Sequence, residues 1–181
     1  MDVGFRFPSL READPRVIGN FRPVARLGEG GMGQVFLAFT PGGQPAAVKV
    51  IRSELTQHSQ FGQRFVQEVR TAQKVHGAHI APLLDAAPEA EQPWLATMYV
   101  PGPSLRDLVE EHGPLPDIQV LMLAWGITHA LIDIHAANVV HRDMKPHLTC
   151  SLLDAQGSLE FEPPTGLLAR LGTLSRCCGS E

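Results

Sequence analysis

Between residues 21 and 51, apolar and polar positions alternate in short runs broken by glycine-rich turns. "FRPVARLGEGGMGQVFLAF" holds two alternating stretches around a glycine cluster, "TPGGQP" reads as a turn, and "AAVKVI" is a short apolar run. The pattern predicts strand, glycine turn, strand, turn, strand: an antiparallel meander. The period then changes. In "FGQRFVQEVRTAQKV", Phe61, Phe65, Val69 and Ala72 recur at helical spacing, with Val66 and Val75 beside them. "IAPLLDAAP" and "PWLATMYV" predict two further strands joined by a proline-rich turn. "PGPSLRDLVEEHG" predicts a short helix with Ser104 as N-cap, Asp107 three residues on, and Gly113 as its stop. "PDIQVLMLAWGITHALIDIHAAN" predicts a long helix, apolar on most faces, which expects cover on several sides. Residues 1–18 are polar, carry Pro8 and Pro15, and read as a loose leader. No internal repeat or low-complexity segment interrupts this order.

Composition narrows the class. With 44% hydrophobic and 19% charged residues, the chain can bury a core, and disorder is not its expected state. A net charge of -4 and a pI near 6.0 give no electrostatic reason to expect nucleic acid or an anionic membrane surface. Cys150, Cys177 and Cys178 are too few for a disulfide framework and read as reduced thiols, which points to a cytoplasmic protein. The opening "MDVGFRFPSLREADPR" has no apolar signal region, and "IQVLMLAWGI" is shorter than the roughly 20 residues that span a bilayer.

Three features carry chemistry. "LGEGGMGQV" places Gly28, Gly30 and Gly33 in a G-x-G-x-x-G-x-V frame ending at Val35. Taken alone it fits a dinucleotide-binding turn, a phosphate-cradling hairpin or a flexible loop. A dinucleotide turn opens a helix and wants an acid about 20 residues later. Here a strand pattern follows, and Lys49 stands at that distance. A glycine hairpin over nucleotide phosphates fits better, since glycine admits close backbone approach and its N–H groups face the anion. Second, Lys49 lies inside the apolar "AAVKVI", and Glu68 lies between Phe65 and Ala72 on the apolar helix stripe. A buried charge is costly unless paired. Either the two form an ion pair, with Lys49 also donating to phosphates, or they are unrelated surface charges. Third comes "HRDMKP", with Asp143 and Lys145.

In this order, glycine loop, "AAVK", helix glutamate and "HRDMKP" match the protein-kinase signature. Residues 19–146 resemble the first half of a Ser/Thr protein kinase domain of the bacterial, actinobacterial type. A lysine two positions after the aspartate is the Ser/Thr form of the motif. The resemblance implies an α+β fold: a small lobe of five antiparallel strands and one helix, then a truncated, mainly helical start of the large lobe. It implies ATP as ligand and magnesium as cofactor. The loop Gly28, Glu29, Gly30, Gly31, Met32, Gly33 and Gln34 would cover the phosphates. Lys49 would hold the α- and β-phosphates, positioned by Glu68. Leu27, Val35 and Ala47 would sandwich the adenine, Thr97 would stand at the gatekeeper position, and Val100 would offer backbone hydrogen bonds. Asp143 would accept the substrate hydroxyl proton, and Lys145 would offset charge on the transferring group.

The pattern then departs from the family. The magnesium-binding asparagine expected five residues after Asp143 is Leu148, which offers no oxygen to a hard cation. "SLLDAQGSLEFE" resembles the hairpin that follows, but no aspartate comes after Asp154, and Glu162-Pro163-Pro164 or Glu160-Phe161-Glu162 stands where Asp-Phe-Gly is needed. The activation segment and later helices have no counterpart here. No metal ligand is therefore assigned. Losing one electrostatic donor in such a site costs roughly 3–4 kcal/mol, so phosphoryl transfer is expected to be impaired. These readings divide the chain into a leader at 1–18, a small lobe at 19–100, a partial large lobe with the catalytic loop at 101–161, and a divergent tail at 162–181. In the tail, Leu167, Leu168, Leu171 and Leu174 have helical spacing and either patch the long helix or carry no selected role. His129, His135, His141 and His147 recur every six residues, a step that keeps no helix face, so no zinc site is expected. The leading reading is a Ser/Thr kinase-like protein using ATP on a protein substrate the sequence does not name. The alternatives are a nucleotide-binding pseudokinase fragment acting on a partner, or a non-functional remnant.

Overall fold

The computed structural model describes residues 7–56, 59–141, 144, 149–151 and 167–169. The three runs of the meander pair in sequence order as β1 (Arg22–Gly30), β2 (Gly33–Phe39) and β3 (Pro45–Ile51). Two more strands, β4 (Leu83–Ala87) and β5 (Trp94–Met98), complete an antiparallel sheet of order β1-β2-β3-β5-β4. The turn into β3 is held by Thr40, whose Oγ1 accepts the Gln44 N–H at 3.0 Å, and Gly43 supplies a φ of +81°.

Alternation gives this sheet two distinct faces. Phe36, Ala38, Ala46, Val48, Val50, Trp94 and Ala96 are buried on one, with Ile18 and Phe21 against them. Fully burying a side chain of Phe36's size is worth about 1.5–3 kcal/mol. The other face receives α2 (Ser59–Ala72), whose Phe65 and Val69 pack with Ile51, Leu83, Ala86 and Leu95. A four-residue helix, α1 (Ser53–Thr56), precedes it.

Residues 7–18 are not a loose leader. Ser9 bridges Ala25, the Arg26 N–H donates to the Pro8 carbonyl at 2.9 Å, Leu10 packs on the core, and Ile18 lies within it. Their apolar side chains are too scattered to show a period, yet each finds a place on the sheet.

Residues 74–81 and those from 100 onward form a second unit, while residues up to 73 and 82–99 belong with the sheet. In the second unit α3 (Leu105–His112) starts at a reciprocal capping box: the Ser104 hydroxyl accepts the Asp107 N–H at 3.1 Å, and the Asp107 carboxylate accepts the Ser104 N–H at 3.3 Å. Gly113, at φ +83°, ends it. The long apolar run becomes α4 (Asp117–Ala136), closed by Asn138 at φ +58°. Its Ala130 and Ile134 pack with Val75 and Ile80. The expected cover on several sides is incomplete: Ile118, Leu121, Trp125 and Ile132 are exposed. The apolar decapeptide that reads as too short for a bilayer sits in a helix of 20 residues, which is long and apolar enough to cross a membrane by length and composition alone.

Two short strands follow, β6 (Thr149–Ser151) and β7 (Leu167–Ala169), paired antiparallel, with β7 running alongside α4. Leu167 and Leu168 are therefore extended and not helical as their spacing suggests; a short apolar run does not distinguish the two by period. Leu171 and Leu174 lie outside the described residues.

Candidate functional site

The second sheet face brings the sequence-selected side chains into adjacent rows. Gly28, Val35, Lys49 and Leu95 stand in register across β1, β2, β3 and β5. The next row holds Leu37, Ala47 and Thr97. Residues directly opposite share a face and lie within side-chain contact range. Val35, Ala47 and Lys49 are half-buried and Thr97 is buried. A β-bulge between Arg26 and Gly28 changes the register of β1 and re-aims Leu27, also half-buried. Val100, almost fully buried, opens the part of the chain that belongs to the second unit.

The glycines of the β1–β2 hairpin divide into two kinds. A Cβ on Gly33 would lie 2.0 Å from the Val50 carbonyl oxygen, so the close approach of β2 to β3 requires glycine there. A Cβ on Gly28, Gly30 or Gly31 would meet no atom within 4 Å, and none of the three has a positive φ. Neither packing nor backbone conformation accounts for glycine at those three positions. Met32 sits at the tip, its carbonyl accepting the Arg52 N–H at 3.1 Å, and Gln34 pairs with Glu29 and Val50.

Glu68 is half-buried on α2, and two influences act on its carboxyl. Burial raises its pKa from 4.5 to about 7, and the nearby Lys49 charge opposes that rise. The folded state therefore keeps a proton on Glu68 up to about pH 7, whereas the unfolded chain releases it near 4.5. Folding takes up a proton in that interval, so the Glu68 contribution is most favourable below pH 4.5 and is lost as pH rises to 7. Glu68→Gln removes this dependence. Its melting temperature should gain on the parent's between pH 5 and pH 8; melting curves at the two pH values that shift in parallel would contradict the burial.

His141 is buried, and Met144 is partly exposed. Asp143, Lys145, Leu148 and the stretch around Glu162 lie outside the described residues. Sequence reasoning passed over Leu37 and Leu95, which share the rows of the selected side chains, and over the buried Asp14 and Arg26 beneath the glycine hairpin. For Leu37 and Leu95 the strand alternation was a sufficient signal. For Asp14 and Arg26, 12 residues apart, there was none.

Residues 21–155 match the protein kinase domain family model. The chain belongs to the protein kinase family. It is 47% identical over 152 residues to a probable serine/threonine-protein kinase, PkwA, of Thermomonospora curvata, covering 84% of this chain and 20% of that protein. It is 45% identical over 158 residues to the serine/threonine-protein kinase AfsK of Streptomyces griseus, covering 87% of this chain and 20% of AfsK. The chain thus spans about a fifth of the length of these relatives. The fold resembles the crystallised kinase domain of Mycobacterium tuberculosis PknI with a TM-score of 0.67 at 24% identity, covering 85% of this chain and 59% of that one. The five-stranded sheet with α2 on one face is accordingly the small lobe of a protein kinase domain, and α3 and α4 belong to the early helical part of that domain.

Kinase domains use magnesium with ATP; the positions the sequence reading sets against its ligands, Leu148 and the stretch around Glu162, lie outside the described residues. Among the described residues no three His, Cys, Asp or Glu side chains are grouped to hold a metal.

Proposed function

We propose that this chain binds ATP against the β1–β2 hairpin and β3, and that it is a Ser/Thr kinase-like protein whose phosphoryl transfer is impaired. The carrying observation is the pair of unlike glycine requirements: Gly33 is demanded by the sheet, while Gly28, Gly30 and Gly31 have no internal reason to lack a side chain. A phosphate chain lying against the hairpin backbone supplies that reason. The kinase resemblance would give Leu27, Val35, Ala47 and Thr97 the adenine ring, with Val100 as backbone partner, and would give Lys49, positioned by Glu68, the α- and β-phosphates. Asp143 would orient the acceptor hydroxyl and take its proton, with Lys145 beside the transferring group. Leu148 and the missing Asp-Phe-Gly argue for slow transfer, and we route no step through magnesium. On this reading 19–100 is the small lobe, with 7–18 packed on its sheet, 101–161 belongs to the large lobe, 162–181 is a divergent tail, and the protein is cytoplasmic.

The test combines equilibrium binding of a fluorescent ATP analogue with transfer of labelled phosphate to a general protein substrate. Binding in the micromolar range with transfer that disappears in Asp143→Asn supports a weak kinase. Binding with no transfer in either protein supports the pseudokinase reading, and absence of binding overturns both.

A further inference from the structure

The glycine hairpin is tied to the N-terminal segment by a chain of charges. Asp14 is 5% exposed and Arg26 is 6% exposed. The Asp14 carboxylate accepts from the Arg11 N–H at 2.7 Å, from Arg26 Nε at 2.7 Å, and from Arg26 Nη2. A guanidinium held on two of its nitrogens by one carboxylate has a fixed plane. That plane lies over Phe36, 6.0 Å from the ring centre, and leaves Nη1 to donate to Glu29 Oε2 at 3.1 Å. Glu29 stands between Gly28 and Gly30, and its other oxygen accepts from Arg52 Nη2 at 3.1 Å. Arg11 approaches the same carboxylate at 3.6 Å. The β1 bulge falls inside this span, between Arg26 and Gly28. The arginine keeps the Asp14 carboxyl well below the usual carboxylate range, so the tie persists across neutral and mildly acidic pH.

We propose that residues 7–18 act as a strut for the glycine hairpin, with Asp14 and Arg26 as positioning residues that fix the hairpin through Glu29. The geometry gives the mechanism. Asp14 sets the guanidinium plane, the plane aims Nη1, and Nη1 anchors the one long side chain between the first two glycines. Arg52, at the end of β3, clamps the same carboxylate from the other side. A hairpin of glycines has little stiffness of its own. The strut supplies stiffness from outside the hairpin while leaving its glycine backbone uncovered for a ligand. Its bearing on nucleotide affinity rests on the ATP reading above; its bearing on the hairpin does not.

Amide hydrogen exchange at Gly28–Gly33, measured on the full chain without nucleotide, decides the matter. Asp14→Asn and Glu29→Gln should each speed exchange there by about tenfold, the size of one coupling between linked side chains, and the double variant should be no faster than the single ones. Glu29→Gln leaves the buried Asp14–Arg26 pair intact, so its melting temperature should stay at the parent's, and it keeps the test sound if Asp14→Asn folds poorly. Unchanged exchange in Glu29→Gln, or effects that simply add, would overturn the strut. Titration with the fluorescent ATP analogue then separates the two readings. Faster exchange with about tenfold weaker binding supports both. Faster exchange in the variants, together with a parent that binds no ATP, supports the strut and overturns the nucleotide site.

Discussion

Gly33→Ala should lose much of the parent's stability, while Gly28→Ala and Gly30→Ala should melt close to the parent. The difference follows from where each Cβ would go. At position 33 it meets the Val50 carbonyl oxygen at 2.0 Å, the Val50 carbonyl carbon at 3.0 Å and the Ile51 Cα at 3.1 Å. All three are backbone atoms of the neighbouring strand, so no side chain can swing away. The strands must part at the Gly33–Ile51 pair, next to the apolar cluster that Ile51 shares with Phe65 and Val69. Overpacking of this kind costs about 3 kcal/mol, or roughly 10 °C in melting temperature for a chain of this size. At 28 and 30 the added methyl meets open space and restricts the unfolded chain, which is neutral or slightly stabilising. On the proposed ATP reading those two variants should instead weaken ATP binding, because the methyl would stand where the phosphates approach. Differential scanning fluorimetry with and without ATP reads both halves. Equal loss of stability at all three positions would contradict the division into structural and ligand-facing glycines.

Lys49→Met should weaken the response to ATP and reduce stability mainly above neutral pH. Methionine keeps the length and apolar stem that stand between Val35 and Leu95 across the sheet. It removes the cation. A charge-assisted contact to phosphate is worth about 2 kcal/mol, so affinity should fall about 30-fold. The same substitution removes the one influence that lowers the Glu68 pKa, leaving burial unopposed. Glu68 then holds its proton to still higher pH, and the cost of ionising it rises. The Lys49→Met deficit in melting temperature should therefore be small at pH 5 and grow by pH 8. In a Glu68→Gln background that growth should vanish. A deficit independent of pH would mean that Lys49 and Glu68 act separately.

Much of the fold was legible because its elements announce their period. The three-strand meander, α2, the capped α3 and the 20-residue α4 all occur where alternation, helical spacing, Ser104 and Gly113 place them. The features that were not legible share a physical cause: they depend on partners far apart in sequence. Asp14 and Arg26 look like two ordinary surface charges until folding buries them together. Leu10 and Ile18 show no period, yet both pack on the core. Apolar character on most faces of α4 says which positions favour burial, not what covers Ile118, Leu121, Trp125 and Ile132. Leu167 and Leu168 lie in a strand because β6 offers them a pairing edge, which no local count of leucines can show.

The proposed small-lobe site rests on a different signal. Lys49 interrupts an apolar strand and Glu68 interrupts an apolar helix stripe, and those interruptions single the two residues out. Strand register then adds what the string cannot: Val35, Lys49 and Leu95 in one row, and Leu37, Ala47 and Thr97 in the next.

The most direct test of the nucleotide site is a melting titration of the full chain with ATP, run beside Lys49→Met. Binding to the folded state raises stability as the logarithm of ligand concentration, by about 2.7 kcal/mol at a hundredfold excess over Kd. The expected result is a rise in melting temperature that continues with each tenfold step in ATP and that, in Lys49→Met, sets in only at about 30-fold higher ATP. A cooperative melt in the parent that ATP leaves unmoved would contradict it.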